Sequence, residues 1–250
     1  MIKTALITGA TSGIGKACAI KFAQNHYNLI LTGRRDDRLQ LLKTELTKKF
    51  KVEITTLTFD VRKREEVKTA IDTLKGQTID LLINNAGLAA GLDPIQEGSM
   101  DDWDQMIDTN VKGLLYVTRN VAPMMVEKKS GHIINIGSIA GREVYPKGNV
   151  YCASKHAVDA LTKGMRIDLL ESGIKVTQIA PGAIETEFSM VRFKGNKQTA
   201  DNVYKGFEPL HPEDIADVAF YVTTLPAHVN INDLLIMPTA QANGTTIIRK

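Results

Sequence analysis

Seven short apolar runs, rich in β-branched residues, alternate along the whole chain with six amphipathic stretches. The runs fall at 3–8, 28–33, 53–58, 80–83, 132–136, 175–179 and 233–237, and the stretches at 14–25, 38–49, 64–74, 100–128, 151–171 and 212–223. Short buried strands separated by helices predict βαβ units, and so a parallel sheet covered on both faces. Right-handed crossovers then make the α/β architecture a doubly wound, seven-stranded parallel sheet. A chain of 250 residues with this pattern is expected to form one domain, residues 1–250. One stretch breaks the alternation. Residues 185–209 are polar, carry few periodic apolar positions and follow Pro181-Gly182, which predicts a lid or binding loop.

Composition narrows the function classes. The net charge of +3 is small and no basic block stands out, so nucleic acid is not the expected partner. No apolar run approaches membrane-spanning length, and the chain opens on a strand without an export leader. The expected setting is cytoplasmic. Cys18 and Cys152 show no disulfide or metal spacing, and the five histidines form no ligand set, so no metal is expected.

In such a sheet, ligands bind beyond the carboxyl ends of the strands, at the switch in strand order. The first run ends Thr8-Gly9-Ala10-Thr11-Ser12-Gly13-Ile14-Gly15 before a helix. Glycines there allow a tight turn and close approach of a pyrophosphate to the helix N-terminus. The second run ends Gly33-Arg34-Arg35. A site preferring NAD places an acid here; a guanidinium instead can fork onto the 2′-phosphate of NADP. Arg34 is the better placed, and Arg35 either contributes or faces solvent. Asp60, before Val61, either accepts from an adenine amino group or caps the next helix. Asn84-Asn85-Ala86-Gly87 follows the fourth run, as a ligand approach or an Asn-stabilised turn. Asn110 stands polar in an apolar helix and needs partners. Ser138 ends the fifth run, as a hydroxyl at the strand mouth or a turn serine.

Tyr151 and Lys155 are spaced i and i+4, on one helical face. An ammonium beside a phenol favours phenolate, which suits a general acid/base. An exposed tyrosine with a solvated lysine would read the same in isolation.

Taken together, Thr8-Gly9-x-x-x-Gly13-Ile14-Gly15, Asp60, Asn84-Asn85-Ala86-Gly87, Asn110, Ser138, Tyr151-x-x-x-Lys155 and Pro181-Gly182 resemble the short-chain dehydrogenase/reductase pattern in order and spacing. The resemblance implies a Rossmann fold, an NAD(P) cofactor and alcohol/carbonyl interconversion. Segments 187–195 and 225–232 are similar to a group of NADP-dependent 3-hydroxy acid dehydrogenases that act on short 3-hydroxy acids and serine. The tail after Pro238 departs from that group.

The resemblance also implies roles. Tyr151 exchanges a proton with the substrate oxygen and Ser138 hydrogen-bonds it. Lys155 lowers the Tyr151 pKa and holds the nicotinamide ribose. Asn110 positions a water that links Lys155 to solvent. Cofactor contacts are implied at Gly9, Thr11, Ser12, Gly13, Ile14, Gly15, Arg34, Arg35, Asp60, Val61, Asn85, Ala86, Gly87, Pro181, Gly182, Ile184 and Thr186, besides Tyr151 and Lys155. A hydroxy acid needs a cation for its carboxylate; Arg192 in the loop is the candidate, with Arg142 and Lys147 as rivals. Helices 100–128 and 151–171 carry surplus apolar faces, and the resemblance implies that they pair in a dimer or tetramer. Two alternatives stand beside this reading: an enzyme for neutral ketones, aldehydes, sugars or steroids, and a non-catalytic NADP-binding sensor or scaffold.

Overall fold

A computed structural model describes residues 2–250. Seven strands form one sheet in the order β3-β2-β1-β4-β5-β6-β7. They are β1 (Thr4–Thr8), β2 (Asn28–Gly33), β3 (Ile54–Thr58), β4 (Leu81–Asn84), β5 (Gly131–Ile136), β6 (Ile174–Pro181) and β7 (Asp233–Ile236). Every pairing is parallel. The chain winds outward through β1, β2 and β3, then returns to lay β4 beside β1. The strand order therefore reverses between β1 and β4, which opens a crevice at their carboxyl ends.

Helices cover both faces. On one lie α1 (Gly13–Gln24), α2 (Asp36–Phe50) and α9 (Pro212–Thr224), joined by a core that includes Phe22, Leu39, Leu46 and Ile215. On the other, α3 (Arg64–Asp72) and α5 (Leu114–Lys128) share Val67, Ile71, Val121 and Met125 with the sheet. On the same side runs α6 (Asn149–Asp168), whose Met165 packs on that core and which carries Tyr151 and Lys155 on its buried side.

One expectation is refined and one is corrected. The single helix expected over 100–128 is α4 (Met100–Ile107), a π-helical turn (Asp108–Gly113) and then α5. Such π-turns inside α-helices recur at functional sites. The region 185–209 is not an unstructured loop: it holds α7 (Glu187–Arg192) and α8 (Lys197–Asn202). Thr186 and Asn196 cap these helices by accepting from the N–H groups of Phe188 and Thr199.

Candidate active site

The β1–α1 turn is built for close approach. Gly9 and Gly13 have φ of 66° and 50°, in the left-handed region open to glycine. A Cβ on Gly15 would lie 2.3 Å from the Gly9 carbonyl oxygen and 2.5 Å from Asn85 Nδ2. Gly15 is therefore needed for packing the helix on the turn, and it does not line the cavity beyond β1. Helix α1 has no side-chain cap and no acid in its first turn, so its N-terminal N–H groups and positive dipole end favour an anion.

A second set of bonds fixes the wall opposite. The Thr8 hydroxyl accepts from the N–H groups of Asn85 (3.0 Å) and Ala86 (2.9 Å). Asn85 Nδ2 donates to the Thr8 carbonyl at 2.8 Å. Its amide thus buttresses the turn while the residue borders the cavity. Asn84 is buried inside the sheet, donating to Thr118 and Asn135 at 2.9 Å each.

At the end of β2 the two arginines part. Arg34 is exposed and makes no hydrogen bond or ion pair among the described residues, and it borders the cavity near Asp60. Arg35 is turned back over the glycine turn. Its Nη2 donates to Thr11 Oγ1 (2.8 Å) and Ser12 Oγ (3.0 Å), and its Nη1 meets Glu187 at 3.1 Å. Glu187 also takes Arg38 at 2.8 Å, so the first residue of α7 is tied to α2 across the turn. Asp60 is gripped by Arg62 at 2.5–3.0 Å. Burial works to raise the Asp60 carboxyl, but the Arg62 bonds outweigh it and hold the group below the ordinary range.

These walls enclose one cavity of about 540 Å³, reaching from Arg34 and Asp60 past the glycine turn to Ser138, Tyr151 and Lys155. Besides those residues, Gly9, Thr11, Ser12, Gly13, Ile14, Arg35, Val61, Asn85, Ala86, Gly87, Pro181, Gly182, Ile184, Thr186 and Arg192 border it. The volume lies in the range of small-molecule and cofactor sites. Asn110 stands behind the wall, 2% exposed. Its amide clasps Leu88 in both directions at 2.8 Å and donates to Ser154 at 3.0 Å. Both amide hydrogens are therefore used in protein contacts, while Oδ1 accepts one of the two bonds open to it.

At the end of the cavity near Ser138 and Tyr151, Lys155 donates to the Ile136 carbonyl at 2.9 Å. Burial pushes its ammonium down to about 8. The lowering of the Tyr151 phenol expected from Lys155 is not what the structure shows. Burial, with Tyr145 beside it, pushes that phenol above the tyrosine value of 10.0; the Ser138 hydroxyl and the Arg192 charge oppose the rise. Desolvation disfavours the phenolate, and here it outweighs the favourable charges. Ser138 caps the 3₁₀ turn Ile139–Gly141 by accepting from the Ala140 N–H at 3.1 Å, which holds its hydroxyl at the mouth of β5.

Arg192 comes from α7 to the same place. Its guanidinium carbon lies 5.7 Å from the Tyr151 ring centre and 5.4 Å from that of Tyr145. Its Nη1 donates to the Tyr145 hydroxyl at 3.0 Å and its Nε to the Gly91 carbonyl at 3.3 Å. Phe188 packs edge-on against Tyr151, ring centres 5.5 Å apart. Of the rivals, Arg142 is paired with Asp233, away from the cavity. Lys147 is exposed and borders only a small recess beside Tyr151 and Arg192.

A family model described as short chain dehydrogenase matches residues 3–197. The chain belongs to the short-chain dehydrogenase family. Among curated relatives in it, the chain is 48% identical over 240 residues to the NADP-dependent 3-hydroxy acid dehydrogenase YdfG of Salmonella typhi, covering 95% of each protein. It is 47% identical to sulfoacetaldehyde reductase 2 of Chromohalobacter salexigens, covering 95% of this chain and 94% of the relative. Among solved structures, the closed form of a serine dehydrogenase complexed with NADP+ superposes with a TM-score of 0.92 at 45% identity over 99% of both chains.

Reading the sequence alone missed Glu187, Tyr145, Phe188, Thr109 and Gln241, all of which border this cavity. Thr109, in the π-turn, is buried, and its hydroxyl finds no partner among the described residues. A short polar residue beside Asn110 in an apolar helix was a usable signal. Glu187 meets arginines about 150 residues away in sequence, and no local pattern announces that.

Proposed function

We propose that this protein is an NADP(H)-dependent oxidoreductase that interconverts an alcohol and a carbonyl, and that its substrates are short 3-hydroxy acids or serine-like compounds. The residues fit the cofactor of the relatives. Left-handed glycines and an uncapped, acid-free helix start suit a pyrophosphate, and Arg34, free beyond β2, with Arg35 suits a 2′-phosphate. Asp60 and Val61 would border the adenine, and Pro181 to Thr186 the nicotinamide. When bound, the cofactor supplies or accepts the hydride.

The chain's own groups handle the proton and the charge. In reduction Tyr151 gives a proton to the substrate oxygen, and the Ser138 hydroxyl stabilises the charge that develops there. Lys155, anchored on the Ile136 carbonyl, holds the ribose side and keeps a positive charge near that proton. Oxidation runs the same steps in reverse.

One observation carries the substrate class: the Arg192 guanidinium over the Tyr151 ring. A guanidinium offers a planar fork to a carboxylate, and a sulfonate presents the same oxygen pair. The test is NADP+-linked oxidation of 3-hydroxy acids and serine, with reduction of sulfoacetaldehyde and a set of neutral ketones and sugars alongside. Turnover of the anionic compounds well above the neutral ones is expected. A preference for neutral compounds would overturn the substrate class. Hydride exchange with none of them would leave a non-catalytic NADP-binding sensor or scaffold.

The same reading makes the protein a cytoplasmic dimer or tetramer that binds neither nucleic acid nor membrane. Exposed Leu115 and Val126 on α5 and Ile167 on α6 support helix pairing between subunits. No helix among the described residues is long and apolar enough to cross a membrane. Sedimentation and cell fractionation test these points; a monomer in solution would remove the pairing.

A further inference from the structure

The chain after β7 does not trail away. It turns back as a hairpin over the substrate end of the cavity: the Ala242 N–H donates to the Thr246 carbonyl (3.0 Å) and the Ile248 N–H to that of Ala240 (2.9 Å). The Asn243 side chain closes the turn by accepting from the N–H groups of Thr245 and Thr246. The hairpin is fastened on both sides. The Gly244 N–H donates to Glu143 Oε2 at 2.7 Å, on the loop before α6. Arg249 donates to the carbonyls of Val203 and Lys205, behind α8.

One side chain of this hairpin points inward. Gln241 is 7% exposed. Its Oε1 accepts from the Ala183 N–H at 2.7 Å and its Nε2 donates to the Asn243 carbonyl at 3.0 Å. Room for it depends on Gly182, where a Cβ would lie 2.6 Å from Gln241 Oε1. Ala183 is held on its other side too, since its carbonyl accepts from the Leu210 N–H at 3.0 Å. Gln241 and Leu210 thus grip the backbone between Pro181 and Thr186 from two directions.

We propose that Gln241 is a positioning residue for the nicotinamide end of the cofactor, acting through the Ala183 backbone that it holds. The inference rests on the functional reading above, which places the nicotinamide along Pro181 to Thr186. A buried hydrogen bond to a backbone N–H orients a short segment held otherwise by the Gly182 N–H on Ile236 and a single bridge to Leu210. Small errors in the orientation of a reacting group cost rate steeply. The hairpin that carries Gln241 is also tied to the walls of the substrate end, so substrate and nicotinamide are aligned by one device.

Gln241→Met keeps length and burial but removes both polar atoms. Titration calorimetry should show NADPH binding weakened about five- to tenfold, the loss of roughly one buried hydrogen bond. Affinity for 2′,5′-ADP, which has the phosphates and adenosine but no nicotinamide, should stay within about twofold of the parent. The kcat should fall by more than the substrate KM rises. Equal weakening of both ligands, or of neither, would overturn the proposal. Hydrogen exchange on the unaltered protein gives a second readout that needs no variant. NADPH should slow exchange at both 182–186 and 239–243, and 2′,5′-ADP at neither; protection of 182–186 alone would sink the idea. If the unaltered protein binds no NADPH, it is the functional reading that falls.

Discussion

Tyr151 shows how far the surroundings of a residue reverse what its spacing suggests. The i, i+4 lysine argues for an easily ionised phenol, yet burial and Tyr145 push the phenol up. A phenol kept protonated at neutral pH is a ready acid for reduction, while oxidation requires that proton to leave. The kcat/KM for alcohol oxidation should therefore rise with pH through the alkaline range, and that for carbonyl reduction should not. Tyr151→Phe should bind NADPH as the parent does and lose about 10²–10⁴-fold in turnover in both directions; retained turnover would remove its acid/base role. For Arg192, replacement by Ala should raise the KM for 3-hydroxy acids about tenfold or more and leave neutral carbonyls near the parent value, as expected for a charge-assisted pair. A parallel loss on both classes would mean that its bonds to Tyr145 and Gly91 serve only to hold the loop.

Strand ends proved legible and helix interiors less so. Strand β2 was readable to the residue because the apolar run Leu29–Leu31 sits between polar residues, with Gly33 and Arg34 ending it. The π-turn at Asp108–Gly113 was not, because no residue type there separates a wider turn from an α-helical one. Asn110 was found as an oddity, but its clasp on Leu88 depends on that turn. The arginines after β2 divide along the same line. Their chemistry was evident, whereas the tie from Arg35 to Glu187 depends on where α7 lies. Arg34→Ala should weaken NADPH binding about tenfold and leave NADH unchanged, since only the 2′-phosphate distinguishes them. Arg35→Ala should weaken NADPH and also raise the substrate KM, because it leaves Glu187, at the head of α7, held by Arg38 alone. Equal effects of Arg34→Ala on both cofactors would remove it from the phosphate site.

For the molecule as a whole, the doubly wound parallel sheet could be reasoned from alternation and handedness, because each βαβ step has one favoured hand. The hairpin after Pro238 could not, since its bonds join positions with no shared period. Global stability should carry the mark of a residue outside the site. His132, at the start of β5, is 6% exposed and its Nε2 lies 2.8 Å from Thr177 Oγ1. Burial, helped by the charges of Lys175 and Lys3, pushes it from 6.5 down to about 3. The folded chain thus keeps this imidazole neutral where the unfolded chain protonates it. The sign follows: above pH 6.5 both states are neutral and the group adds no pH dependence. As pH falls below 6.5 only the unfolded state gains the proton, and stability drops by up to about 1.4 kcal/mol per pH unit. Urea unfolding at fixed protein concentration should show the parent losing about 2 kcal/mol more than His132→Asn between pH 7.5 and pH 5. Parallel loss in the two proteins would show that the burial of His132 does not govern acid sensitivity.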